Sequence, residues 1–242
     1  MSKIRKIYML RFVGRCFILL LALLCCFFLP EVFLPLKESF FDRFTLLHLL
    51  WGIWVFDMAC QLFPIKKEIS IGSMKIFRER FKPIREKINK QALRGYISTV
   101  SKAAYRVMLL WILLLAVLGT LYYTHIINEM ILFMVSVVFY VCDLICVLFW
   151  CPFRLMIKTR CCTTCRIFNW DHFMMFSPLM FINSFFARSL FLLSVVIFIA
   201  WELSILIHPE RFWEHTNVAL TCAECTDKLC TQYCQKLRKE QK

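Results

Sequence analysis

Long apolar runs separated by short basic segments set the pattern of this chain. A run of about twenty apolar residues suits a helix that crosses a bilayer, at roughly 1.5 Å per residue. Such runs occupy Cys16–Leu34, Phe44–Phe63, Val107–Ile127, Met130–Phe153 and Ser189–Ile207. A sixth, Phe173–Ala187, has only 15 residues and carries Ser177, Pro178, Asn183 and Ser184. It either lies along a membrane surface or crosses by extending back through Ile167–Asn169. The two options put the C-terminal tail on opposite sides. The expected architecture is an all-α polytopic membrane bundle of five to six membrane segments, with a small cytoplasmic cysteine-rich cap.

This pattern divides the chain into six parts. Residues 1–63 form a first transmembrane hairpin, 64–106 a basic amphipathic loop and helix, and 107–153 a second hairpin. Residues 154–172 are a cysteine-rich loop, 173–207 the short polar segment with the last span, and 208–242 a cysteine-rich tail. In the 64–106 part, Phe77, Phe81, Ile84, Ile88, Tyr96, Val100 and Ala104 recur mostly at helical spacing. Pro83 suits a first helical turn. The spacing predicts a short helix, a break before Pro83, and a longer amphipathic helix running into the third span. In the tail, a helix is expected over 209–220 and another over 227–239.

Composition and charge fit that reading. The chain of 242 residues is 60% hydrophobic, and its mean hydropathy is +0.66. Its net charge of +14 sits in segments that flank the apolar runs. The positive-inside rule explains such placement without nucleic acid as a partner. It puts the N-terminus and the 64–106 loop in the cytoplasm, and the C-terminus there too if six segments cross. The expected partners are membrane lipids, with anionic head groups drawn to the basic helix. With 5 glycines, no phosphate-cradling loop, no H-E-x-x-H and no G-x-S-x-G, nucleotide-binding and hydrolase motifs are excluded.

Candidate chemistry lies in thiols and intramembrane acids. Of 14 cysteines, seven fall in two short clusters: Cys161, Cys162 and Cys165, then Cys222, Cys225, Cys230 and Cys234. Two C-x2-C knuckles can hold zinc tetrahedrally with sulfurs about 2.3 Å from the ion. Cys162, Cys165, Cys222 and Cys225 are the expected ligands, with Cys161, Cys230 and Cys234 as alternates. Thiolate-only ligation also suits an iron–sulfur cluster. The expected function is a membrane protein with this metal site in a structural or redox role. One alternative is a membrane thiol–disulfide oxidoreductase using the C-x2-C pairs. Another is a non-enzymatic assembly or lipid-surface factor built on the basic helix.

Asp57, Asp143 and Glu202 interrupt apolar runs. A carboxylate at mid-span costs about 2.5–3.5 kcal/mol, so each should face the bundle interior. Together with His172 they form a candidate intramembrane polar site, with Arg106 or Arg154 as available counter-ions. If Asp143 lines a working cavity, Asp143→Leu should abolish activity and leave stability nearly intact.

Overall fold

The computed structural model describes residues 3–36, 40–42, 44–63, 81–84, 89–157 and 165–221. The α-helices are α1 (Lys3–Phe28), α2 (Leu46–Leu62), α3 (Lys90–Tyr123), α4 (Glu129–Leu148), α5 (Phe153–Ile157), α6 (Asp171–Phe176) and α7 (Phe185–Ile207). Among the described residues there is no strand, only an isolated bridge between Pro83 and Asn217. Four helices (α1, α3, α4 and α7) are long and apolar enough to cross a membrane. α2 is equally apolar but has 17 residues. Large apolar side chains such as Leu109, Leu113, Leu192 and Leu206 point outward. A water-soluble protein would bury such a band, so these helices suggest a membrane protein.

Local chemistry fixes the helix starts. Asn89 accepts from the backbone N–H groups of Gln91 and Ala92, Asn128 from Ile131, and Ser184 from Ala187. Each satisfies orphan donors of a first turn. α3 and α4 run antiparallel through a tight turn in which His125 takes φ 59°, in the left-handed region. The core is aromatic. The Trp54 ring lies 5.0 Å from Phe176, 5.6 Å from Tyr140 and 6.0 Å from Phe133, centroid to centroid.

The segment after Cys165 climbs along α3. Arg166 bonds to Ser101 and Tyr105, Trp170 stacks near Tyr105, and Ser177 accepts from Trp111 Nε1 at 2.9 Å. Phe181 then meets Gly119, where an added Cβ would lie 2.7 Å from the ring. Ser101 to Gly119 is eighteen residues of helix, or about 27 Å. The path includes a 3-10 turn at Ile167–Asn169, α6, and a second 3-10 turn at Ser177–Phe181. The chain turns at Ile182–Ser184, and α7 comes back beside α2, with Trp51 donating to Ser189 at 2.8 Å.

Two expectations change. Pro83 does not begin a helix. It sits in the bridge, where Val218 N–H donates to Lys82 O at 2.9 Å and Ile84 N–H to Thr216 O at 3.4 Å. Those bonds use the neighbours of Pro83, so its missing N–H is not needed. The helix expected over 209–220 is instead two short 3-10 turns, Pro209–Phe212 and Val218–Leu220. Asn217 is fully buried between them and bonds to Arg211 O, Lys82 N and Ala219 N. The long-range bond to Lys82, together with the local bonds to Arg211 and Ala219, outweighs a weak local helical preference. By contrast, α3 is the expected long helix running into the third span. The expected helix before Pro83 lies largely, and the one over 227–239 wholly, outside the described residues.

Candidate functional site

Four elements place charged groups in one buried cluster. α1 contributes Arg11 and Arg15, α2 Asp57 and Gln61, α4 Tyr140 and Asp143, and α6 Asp171 and His172. Arg11 and Arg15 are four residues apart and share a helix face. Asp57 and Asp143 each lie five residues from the end of their helix, about 7.5 Å along the axis. The cluster therefore sits near one end of the bundle. Arg5 and Lys6 near the start of α1, Lys90 at the start of α3, and Lys82 mark that end as the basic one.

Arg15 is the hub. Its Nη1 donates to Asp143 Oδ2 at 2.7 Å and to the Tyr140 carbonyl at 2.6 Å. Its Nη2 lies 3.7 Å from Asp57 Oδ2, and its guanidinium stacks 4.0 Å above the Tyr140 ring. Arg11 reaches Asp57 Oδ1 at 4.0 Å. Gln61 Nε2 donates to Asp171 at 3.1 Å.

His172 joins the two remaining acids. Asp171 Oδ1 accepts from the His172 backbone N–H at 2.7 Å and lies 2.9 Å from the ring Nδ1. A carboxylate accepts only, so Nδ1 carries a proton. The other ring nitrogen, Nε2, faces Asp57 Oδ2 at 3.5 Å. A bare lone pair there would oppose a carboxylate in a site where the His172 side chain is only 4% exposed. The geometry therefore favours imidazolium. With it, three cations (Arg11, Arg15, His172) face three carboxylates (Asp57, Asp143, Asp171), and the charges balance among the described residues. Without it, one negative charge is left buried.

Of the expected polar site, the structure brings Asp57, Asp143 and His172 together. Glu202 lies elsewhere. It accepts from Arg166 Nε at 2.9 Å and Trp170 Nε1 at 2.8 Å, and makes a second bond to Arg166 Nη2. This two-pronged pairing offsets the desolvation of the buried Arg166 guanidinium. Among the described residues, Arg11, Arg15 and Arg166 pair with the three acids, and the Arg154 side chain lies outside what is described. Sequence reasoning took Arg11 and Arg15 as topological charge and passed over Gln61. The four-residue spacing of the two arginines, at the threshold of an apolar run, was the available signal.

Beside the cluster lies a partly open cavity of about 220 Å³. Asp143 and Asp171 border it, as do four thiols: Cys142, Cys146, Cys151 and Cys165. Cys146, on α4, and Cys151, just beyond its end, both face this cavity. Of the expected metal ligands, only Cys165 is described, half-buried at this cavity. Cys161, Cys162, Cys222, Cys225, Cys230 and Cys234 lie outside the described residues. Among the described residues, no group of three or more His, Cys, Asp or Glu side chains is placed to hold a metal ion. Comparison with known protein families, curated proteins and solved structures finds no match to this chain.

Proposed function

We propose that this chain is a six-crossing membrane protein, with both ends on the basic, cytoplasmic face, whose working part is a proton-exchanging ion network. The topology reading is supported by the ladder of contacts that carries residues 166–181 along α3. That length, about 27 Å, approaches the ~30 Å of a hydrocarbon core. α7 then returns, and the tail joins the basic loop through Lys82 and Val218.

One observation carries the functional reading: His172 is held by Asp171 on one side and faces Asp57 on the other, in a charge-balanced cluster within an apolar bundle. Buried ionisable groups in membrane segments are costly and mark function more often than structure. Histidine is the member whose unperturbed proton affinity lies closest to neutrality. The network therefore stores and returns a proton for chemistry in the adjoining cavity. Difference titration in lipid nanodiscs tests this. Wild type should release one more proton than His172→Gln on the way to alkaline pH. Equal release would show that His172 holds no exchangeable proton.

A second reading keeps the cysteine-ligated metal, zinc before iron–sulfur, on Cys162, Cys165, Cys222 and Cys225. It is supported by where the two thiol segments leave the described structure. Arg166, next to Cys165, bonds to Ser101, and Trp213 stacks 5.4 Å from Tyr96, five residues earlier on α3. Elemental analysis of purified wild type and Cys162→Ser tests it. Zinc present in the first and lost in the second supports the site; metal-free wild type opposes it.

A further inference from the structure

The cavity beside the ion network has nearly apolar walls and a chemically distinct edge. Trp111, Phe139, Phe153 and Phe168 supply flat aromatic surface, and Met174 and Met175 supply polarizable sulfur. On α4 and just beyond its end stand Cys146 and Cys151, both lining the cavity and five residues apart in the chain. Cys142, one turn before Cys146, is exposed to the surroundings of the bundle. These thiols do not form a metal cluster with neighbouring acids among the described residues. Two thiols that face one cavity can, on joining as a disulfide, give up two electrons and two protons together.

We propose that this cavity takes the ring of a lipophilic quinone from the bilayer, and that the Cys146–Cys151 dithiol reduces it. A flat, uncharged ring suits the aromatic, nearly apolar walls of this partly open cavity. The step balances without a further reactant. Two S–H bonds break and one S–S bond forms. The two quinone carbonyls become two C–O–H groups, so the ring gains two electrons and two protons and leaves as hydroquinone. Asp143 and Asp171 border the same space and belong to the network that holds His172. The proposal goes beyond the proton-exchanging reading and rests on it only for the route of the protons. A lipid acyl chain could fill the same volume but would accept no electrons.

The test uses the full chain, reduced, in nanodiscs without oxygen. The probe is a short-chain benzoquinone with every ring position substituted, so that thiols cannot add to the ring. The expected result is one hydroquinone per protein, read by absorbance. A Cys146–Cys151 disulfide should appear with it, read as a peptide mass lower by two hydrogens. Cys146→Ser and Cys151→Ala should each lose both signals, and Cys26→Ala should keep them. Failure of the wild type to reduce the quinone, as with an acyl-chain site, overturns the proposal. So does reduction that survives both substitutions. His172→Gln separates the two readings. Slower quinone reduction with the same disulfide supports both. An unchanged rate leaves the dithiol chemistry standing and removes the network from it.

Discussion

Removing the Asp143 carboxylate alone strands the Arg15 guanidinium. Arg15 would keep the Tyr140 carbonyl at 2.6 Å and Asp57 at 3.7 Å, but lose its shortest ionic contact, 2.7 Å. Breaking one half of a buried ion pair costs about 3–5 kcal/mol, because the remaining charge stays desolvated. The residual partners place Asp143→Leu near the lower figure, about 3 kcal/mol. This reverses the expectation from sequence that Asp143→Leu leaves stability nearly intact. Arg15→Met added to Asp143→Leu removes the stranded charge. The double variant should therefore be less destabilised than the two single losses summed, with a coupling of about 2 kcal/mol. Reversible unfolding in bicelles, followed by tryptophan fluorescence, gives all four free energies. If the single losses simply add, Arg15 and Asp143 are not a coupled pair and the account of the cluster fails.

Other outcomes follow from the same contacts. Gly119→Leu should cost about 1–3 kcal/mol, because its side chain must displace the Phe181 ring, which lies 2.7 Å from where a Cβ would stand; unchanged stability would mean that the 166–181 segment does not reach that level of α3. Glu202→Gln should cost about 2–3 kcal/mol by weakening the bonds from Arg166 and Trp170, and should shift Trp170 emission; no change in either would make the clamp dispensable. With His172 charged in the folded state, the unfolding free energy should fall as alkaline pH removes its proton, and His172→Gln should flatten that slope. Cys162→Ser should release metal and expose the segment after His208 to protease together, as expected where binding and folding are linked; metal release by Cys230→Ser alone would place the site wholly in the tail.

The apolar runs made the helices legible, because a run of that length has few other uses. The basic stretch running into the third span likewise showed α3. The inward-facing acids were legible too, since a carboxylate in an apolar run needs a partner. Which partner was not. Arg15 belongs to an N-terminal basic group that looks like any topological anchor, and only the packing of α1 on α4 sets it against Asp143. Glu202 carries the same signal as Asp57, yet the face of α7 on which it stands meets Arg166 instead. Pro83 and the 209–220 stretch were misread because they are held together by contacts spanning more than a hundred residues. The Cys146–Cys151 pair was hidden among ordinary span cysteines, whose contacts depend on how α4 ends.

The protonation of His172 tests the central claim most directly. Nitrogen-15 NMR of histidine-labelled protein in nanodiscs reports both ring nitrogens, and comparison with His172→Gln identifies the signal among five histidines. The account predicts that Nδ1 and Nε2 of His172 both carry protons at neutral pH. It also predicts that Asp57→Asn brings the ring closer to its neutral form. A neutral His172 in the wild type, with a bare Nε2 facing Asp57, would contradict it.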